Sequence, residues 1–126
     1  MKMVISCSSI LFDLEENKLL DTLESFPYIL IVCDFVYEKT ICQDFDEEIK
    51  NLKIMSLSKN TIIFIENLLK NYELQSYNNL CSLGLAKQEK CIILSNEHSF
   101  QKICKNENIE CFDSSWIINL LNQQNS

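Results

Sequence analysis

The chain has 126 residues, 47% of them apolar, and carries a net charge of −7 with one Gly, one Pro and no Arg. That length holds one α/β domain and is short for two, and so little Gly and Pro excludes a Gly-rich loop protein and a sandwich built on tight turns. The acidic, Arg-free balance excludes a general nucleic-acid-binding module, which shows a basic face, yet it leaves room for a nuclease whose carboxylates hold metal.

In chain order, Lys2–Ser6 predicts a short strand ending at Cys7, and Ser8 or Ser9 predicts the cap of a helix to about Leu14. Asn17–Ser25, with Leu19, Leu20 and Leu23 among polar residues, predicts a second amphipathic helix that Pro27 stops. Tyr28–Val32 is apolar throughout and predicts a strand, followed by a helix with Asp34 as its cap. Asp44–Lys50 is acidic and reads as a solvated turn or helix face. Leu52–Met55 is a weaker third strand. Ser56 or Ser58 caps a helix over Thr61–Tyr72, where Ile62, Ile65, Leu69 and Tyr72 share a face while Ile63 and Phe64 lie off it.

Ser76 predicts the cap of a helix over Tyr77–Gln88 that buries Leu80, Leu83 and Leu85. Gly84 interrupts this helix at about 1 kcal/mol against Ala, so it marks close packing. Cys91–Leu94 is a wholly apolar run, the mark of a strand covered on both faces. A helix over Ser99–Asn106, a strand over Ile109–Phe112, and a helix over Ser114–Asn122 capped by Asp113 complete the pattern, with a polar tail over Asn122–Ser126. Strands alternating with helices imply a mainly parallel sheet between helical layers.

No run approaches the roughly 18 apolar residues that span a membrane, and the N-terminus lacks the apolar core of a signal peptide. A cytoplasmic protein is the expectation. Seven cysteines without a Cys-x-x-Cys pair fit that setting and argue against structural zinc. Lys87, Lys90, Lys102 and Lys105 form the local cationic group, read as a solvated face in preference to a phosphate-contacting patch near the strand edge.

Four positions fall just after strands or at the start of helices facing them: Cys7, Glu38, Asn79 and Glu97. Val4-Ile5-Ser6-Cys7-Ser8-Ser9 is a strand running into a small-residue helix start. Ile31-Val32-Cys33-Asp34-Phe35-Val36-Tyr37-Glu38 is a strand followed by a Glu on the next helix. Ser76-Tyr77-Asn78-Asn79 opens an apolar helix ending Leu83-Gly84-Leu85-Ala86. Ile93-Leu94-Ser95-Asn96-Glu97 is an apolar strand closed by a hydroxyl and a carboxylate. In this order the four stretches resemble the motifs of the PIN-domain family, over nearly the whole chain. The small size brings the resemblance nearest to VapC-like toxins of bacterial toxin–antitoxin modules. The family carries Asp at the first and third positions, Glu at the second, and Asp closing a Thr-x-Asp at the fourth. Here Cys7 and Asn79 replace two of the Asp residues, and Glu97 replaces the last.

The resemblance implies one PIN-like domain over residues 1–126, a three-layer α/β/α fold with a mainly parallel central sheet. It implies metal-dependent RNA hydrolysis, with a cognate antitoxin or a second copy of the chain as partner. It implies Mg²⁺ or Mn²⁺ as cofactor, with Glu38 and Glu97 as ligands and Cys7 and Asn79 as substituted members of the catalytic set. Hard cations select carboxylate oxygens, and ions on a scissile phosphate activate the attacking water and neutralise the leaving oxygen. Asn79 offers a carbonyl without charge, and Cys7 exchanges a hard donor for a soft one. Two carboxylates in place of four predict weakened metal binding and weakened catalysis. The alternative, from another functional class, is an inactive pseudo-nuclease that keeps the fold as a protein-binding module. Each residue also has a plain structural role: Cys7 as packing, Glu38 as an exposed helix residue, Asn79 as support for the Ser76 cap, and Glu97 as an anion favoured at a helix start. Asp13 is expected on a helix away from the site, and His98 as an exposed helix-start residue.

Overall fold

The computed structural model describes residues 2–25, 27–45, 49 and 51–125. Strand β1 (Lys2–Ile5) leads into α1 (Ser9–Glu16), a 3-10 segment (Leu20–Ser25) and β2 (Ile29–Cys33). A helical stretch follows, made of α2 (Asp34–Val36), a π-helical turn (Tyr37–Ile41) and α3 (Cys42–Asp44). Then come β3 (Leu52–Met55), α4 (Lys59–Asn71), α5 (Tyr77–Glu89), β4 (Ile92–Leu94), α6 (His98–Asn106), β5 (Cys111–Phe112) and α7 (Ser114–Asn125). The strands lie in the order β3-β2-β1-β4-β5, and every pairing is parallel. The apolar runs foretold this: Met3, Val4 and Ile5 of β1 and all of β4 are buried, as strands sandwiched between helices must be. The chain builds outward from β1 through β2 to β3, then crosses back to β4 and β5. The reversal lies between β1 and β4, where open α/β sheets form a crevice at the carboxyl ends of the strands.

Helix α5 lies against β1, β2 and β4, and α4 packs on α5. Asn79 to Ala86 are all buried, so α5 is enclosed on every side. Gly84 allows that enclosure. A Cβ there would sit 2.6 Å from Ile65 Cδ1 and 3.0 Å from Thr61 Cγ2 of α4. The side-chain oxygens of Ser58 and Ser76 accept the backbone N–H of Thr61 and Asn79, capping α4 and α5 as their sequences predict. Lys90, in the left-handed region at φ 55°, closes α5. Helices α1 and α7 pack together, completing three layers.

Several elements differ from the sequence reading. The amphipathic helix expected over Asn17–Ser25 is a 3-10 segment. Lys18, at φ 57°, breaks the path after α1, and the Thr22 N–H and hydroxyl both return to the Leu19 carbonyl, a local bond that competes with the longer helical one. On α4 the buried stripe is Thr61, Ile65 and Leu68, which leaves Ile62 exposed beside Ile63. The tail expected after Asn122 continues α7 to Asn125. Ser8 stands at the N-cap of α1 without a capping side-chain bond. Of the acidic stretch, Asp46, Glu47, Glu48 and Lys50 lie outside the described residues. Among the described residues, no helix is long and apolar enough to cross a membrane.

Candidate functional site

Because the sheet is parallel, all its strands end at one edge. Cys7 follows β1 there, Asp34 follows β2, and Ser95, Asn96 and Glu97 follow β4. The C-terminal end of α5 feeds β4, so its first turn, with Asn79, returns to that same edge. Cys7 and Glu97 therefore flank the crevice between β1 and β4, with Asn79 above it. Glu38 lies in the π-helical turn after β2. Lys87 and Lys90, at the far end of α5, line a cavity with Lys2 at the opposite edge. They contribute no cationic patch here.

Asn79 and Glu97 are joined directly. The Asn79 Nδ2 group donates to Glu97 Oε2 and to Gln75 Oε1, each at 3.0 Å. The Glu97 carboxylate only accepts, so it fixes which end of the Asn79 amide points toward it: the NH₂ end. Glu97 Oε1 accepts the Ser99 hydroxyl at 3.2 Å, and the Glu97 N–H donates to Ser95 Oγ at 3.2 Å. Both carboxylate oxygens of Glu97 thus hold neutral donors. Asn79 also serves the cap, its N–H lying 3.1 Å from Ser76 Oγ.

The other two positions stand apart from this pair. The Cys7 thiol sits 3.0 Å from the Ser9 hydroxyl, and Glu38 is exposed. Among the described residues no hydrogen bond or ion pair links either to Asn79 or Glu97. The hydroxyl of Ser8, beside Cys7, is buried without a protein partner. Asp34 Oδ1 accepts the Phe35 N–H at 2.7 Å, and Oδ2 accepts the Ser56 hydroxyl at 3.2 Å. It therefore knots β2 to the segment after β3. Phe35 meets Tyr77 edge-on at 5.0 Å, with the Lys39 ammonium 5.7 Å from the Phe35 ring.

One cluster escaped the sequence reading. Asn96 Nδ2 donates to Asp13 Oδ2 at 3.0 Å and to Ser114 Oγ at 2.9 Å. The Ser114 N–H donates to Asn96 Oδ1 at 2.9 Å, and its hydroxyl donates to Asp13 Oδ2 at 2.6 Å. Asp13 is therefore not remote from the site: it braces the residue that precedes Glu97. Asn96, next to the motif carboxylate, is the one signal of it in the sequence, but nothing local announces partners on α1 and α7.

The donor set does not fit Mg²⁺ or Mn²⁺. Among the described residues no three His, Cys, Asp or Glu side chains converge to hold a metal ion. One carboxylate of the expected cluster is already bonded by an amide and a hydroxyl, another is a thiol, and Asp13 is taken up by Asn96 and Ser114. A hard dication selects several free oxygens at once.

A chain of VapBC2 from Rickettsia felis, solved bound to a DNA fragment from their promoter, shares this fold with a TM-score of 0.65 at 13% identity, over 90% of this chain and 98% of that one. A chain of VapBC-1 from nontypeable Haemophilus influenzae matches with a TM-score of 0.60 at 13% identity, with the same coverage. The chain has the PIN-like α/β/α fold of these VapBC toxin–antitoxin structures. No family model and no curated protein matches its sequence.

Proposed function

We propose that this chain is the toxin-type member of a toxin–antitoxin-like pair, related to metal-dependent ribonucleases and weakened in catalysis. The observation that carries this reading is the Asn79 amide seated on Glu97. An NH₂ group now balances the carboxylate where the family's motif carries a second Asp and, with it, a need for a cation. Without a bound cation, a phosphodiester approaching Glu97, Glu38 and Asp34 meets like charge. Cys7, Glu38, Asn79 and Glu97 are the residues proposed to line the site, with Glu38 and Glu97 as its remaining carboxylates. The VapBC likeness supports an antitoxin partner, and the absence of a spanning helix among the described residues suits work in the cytoplasm.

The test is RNA cleavage by purified chain with Mn²⁺ or Mg²⁺, with and without chelator, alongside the double variant Cys7→Asp/Asn79→Asp. The wild type should cleave slowly, and the double variant should cleave faster and bind Mn²⁺ more tightly by calorimetry. Rapid, chelator-sensitive cleavage by the wild type would overturn the weakened-site reading.

A second reading, an inactive binding module, draws support from apolar side chains left exposed on α4 (Ile62, Ile63), in the connection that follows it (the fully exposed Leu74) and at the start of α5 (Tyr77). Light scattering of the chain alone and with the product of a neighbouring gene separates a homodimer, a heterocomplex and a monomer. A monomer that ignores its neighbour removes the support.

A further inference from the structure

Seven free cysteines lie among the described residues, and the fold sets two pairs of them on elements packed against each other: Cys33 of β2 with Cys81 of α5, and Cys104 of α6 with Cys111 of β5. The pairs differ in access. Cys33 and Cys81 are both buried where α5 packs on β2, so no reagent reaches either one. Cys104 is buried in the last turn of α6, but Cys111 of β5 is half-buried and opens onto a cavity of about 440 Å³ that Gln101, Lys105 and Phe112 also line. The backbone already holds the two segments together, because the Cys104 carbonyl accepts the Ile109 N–H at 2.8 Å where the chain turns from α6 into β5.

We propose that Cys111 is a peroxide-sensitive modification site and that Cys104 resolves it into a Cys104–Cys111 disulfide. A half-buried thiol that opens onto a cavity, with a buried cysteine on the helix packed against its strand, is the arrangement that oxidation by hydroperoxide and resolution to a disulfide require. In the first step the Cys111 thiolate attacks one peroxide oxygen. An S–O bond forms, the O–O bond breaks, and hydroxide leaves and takes up the proton that Cys111 released, giving water and a sulfenic acid. In the second, the Cys104 sulfur attacks the Cys111 sulfur. An S–S bond forms, the S–O bond breaks, and the departing hydroxide takes the Cys104 proton as water. Two thiols lose two electrons to one peroxide, and a dithiol reverses the change. The neighbouring Cys104 thiol lowers the pKa of Cys111, and the same contact, with burial, raises that of Cys104. Exposed Cys42 has no such partner among the described residues, and burial pushes the Cys91 thiol up to about 11.

The crosslink would bear on the candidate site. The Ser95 N–H donates to the Phe112 carbonyl at 2.9 Å, and Gln101 Nε2 donates to the Ser95 carbonyl at 2.8 Å. The β5 strand and α6 together hold the loop that carries Glu97, and a disulfide between them fixes that loop.

The experiment treats the reduced, full chain with hydrogen peroxide, alkylates the remaining thiols and maps peptides by mass. The expected result is coupled loss of the Cys104 and Cys111 thiols as one linked peptide, reversed by dithiothreitol. With Cys104→Ser, or Cys104→Ala should the serine variant fail to fold by circular dichroism, the sulfenic acid at Cys111 should persist and be trapped by dimedone. With Cys111→Ser, Cys104 should stay alkylatable only after unfolding and form no disulfide. The proposal falls if Cys111 survives while Cys42 and Cys7 oxidise, or if Cys111 pairs as readily with other cysteines in native protein as it does in urea.

Discussion

Asn79 places its NH₂ group between two oxygen acceptors, and an Asp there would set a second carboxylate where 3.0 Å now separates the amide from Glu97. With screening at an exposed partner, two such charges cost on the order of 1–2 kcal/mol. Asn79→Asp should therefore melt below the wild type without metal, recover as the pH falls and one carboxyl takes a proton, and gain stability from Mn²⁺ by linkage. The wild-type melt should ignore Mn²⁺. Equal melts of the two proteins, both indifferent to Mn²⁺, would refute the electrostatic account. At the opposite edge, Lys2 Nζ lies 2.7 Å from Glu89 Oε1. The bond to Lys2, helped by Gln88, holds the Glu89 carboxyl below its ordinary range, and Glu89 raises the Lys2 ammonium. A lowered carboxyl stabilises above its unfolded pKa and loses that contribution as the pH falls through its folded one. A raised ammonium loses its contribution as the pH climbs through its folded value. The stability gap between wild type and Lys2→Met should thus be widest from about pH 5 to about pH 10 and close in acid. A gap that persists below about pH 3 would assign it to packing of the lysine stem.

The contact between α4 and α5 turns on one missing methyl. Gly84→Ala gains about 1 kcal/mol of helix propensity but drives a Cβ to within 2.6 Å of the buried Ile65, an overpacking worth about 1–3 kcal/mol. The net should be a loss in urea titrations. Ile65→Val, which removes Cδ1, should cost less in the Gly84→Ala background than alone, a coupling that a double-mutant cycle reads directly. Additive effects would place the strain elsewhere. This glycine was legible in the sequence, as were the five strands, because short apolar-rich runs between capped helices have few other uses. Ser58 and Ser76 fixed the helix starts for the same local reason. What was not legible depended on distant partners. Leu19, Leu20 and Leu23 have helical spacing, yet Lys18 and Thr22 wind that segment tighter. Ile62 keeps the α4 pattern yet faces outward, because Gly84 draws α5 against Thr61 and Ile65. At the site, residue types placed Cys7, Glu38, Asn79 and Glu97 at one edge. The pairing of Asn79 with Glu97, and the bracing of Asn96 by Asp13 and Ser114, joins residues that only the finished fold brings together.

At the scale of the molecule, no two strands adjacent in sequence form a hairpin among the described residues, and each must wait for a helical crossover before it pairs. The surface carries a net charge of −7, which opposes compaction at low ionic strength. Refolding should therefore be slow for the chain's size, in the millisecond-to-second range of non-local topologies, and should accelerate with added salt. Stopped-flow fluorescence of Trp116 would follow it, and microsecond refolding independent of salt would contradict this. The central position of β1 has a further consequence for the order of events on the ribosome. Its Met3 pairs with Leu30 on one side but with Ile92 on the other. A nascent chain that has presented β1, β2 and β3 still holds its innermost strand as a bare edge until most of its length has emerged. β1 comes before the other strands of the sheet yet keeps one side open until β4 arrives, and a chain arrested before β4 offers an adhesive apolar strand to whatever lies nearby.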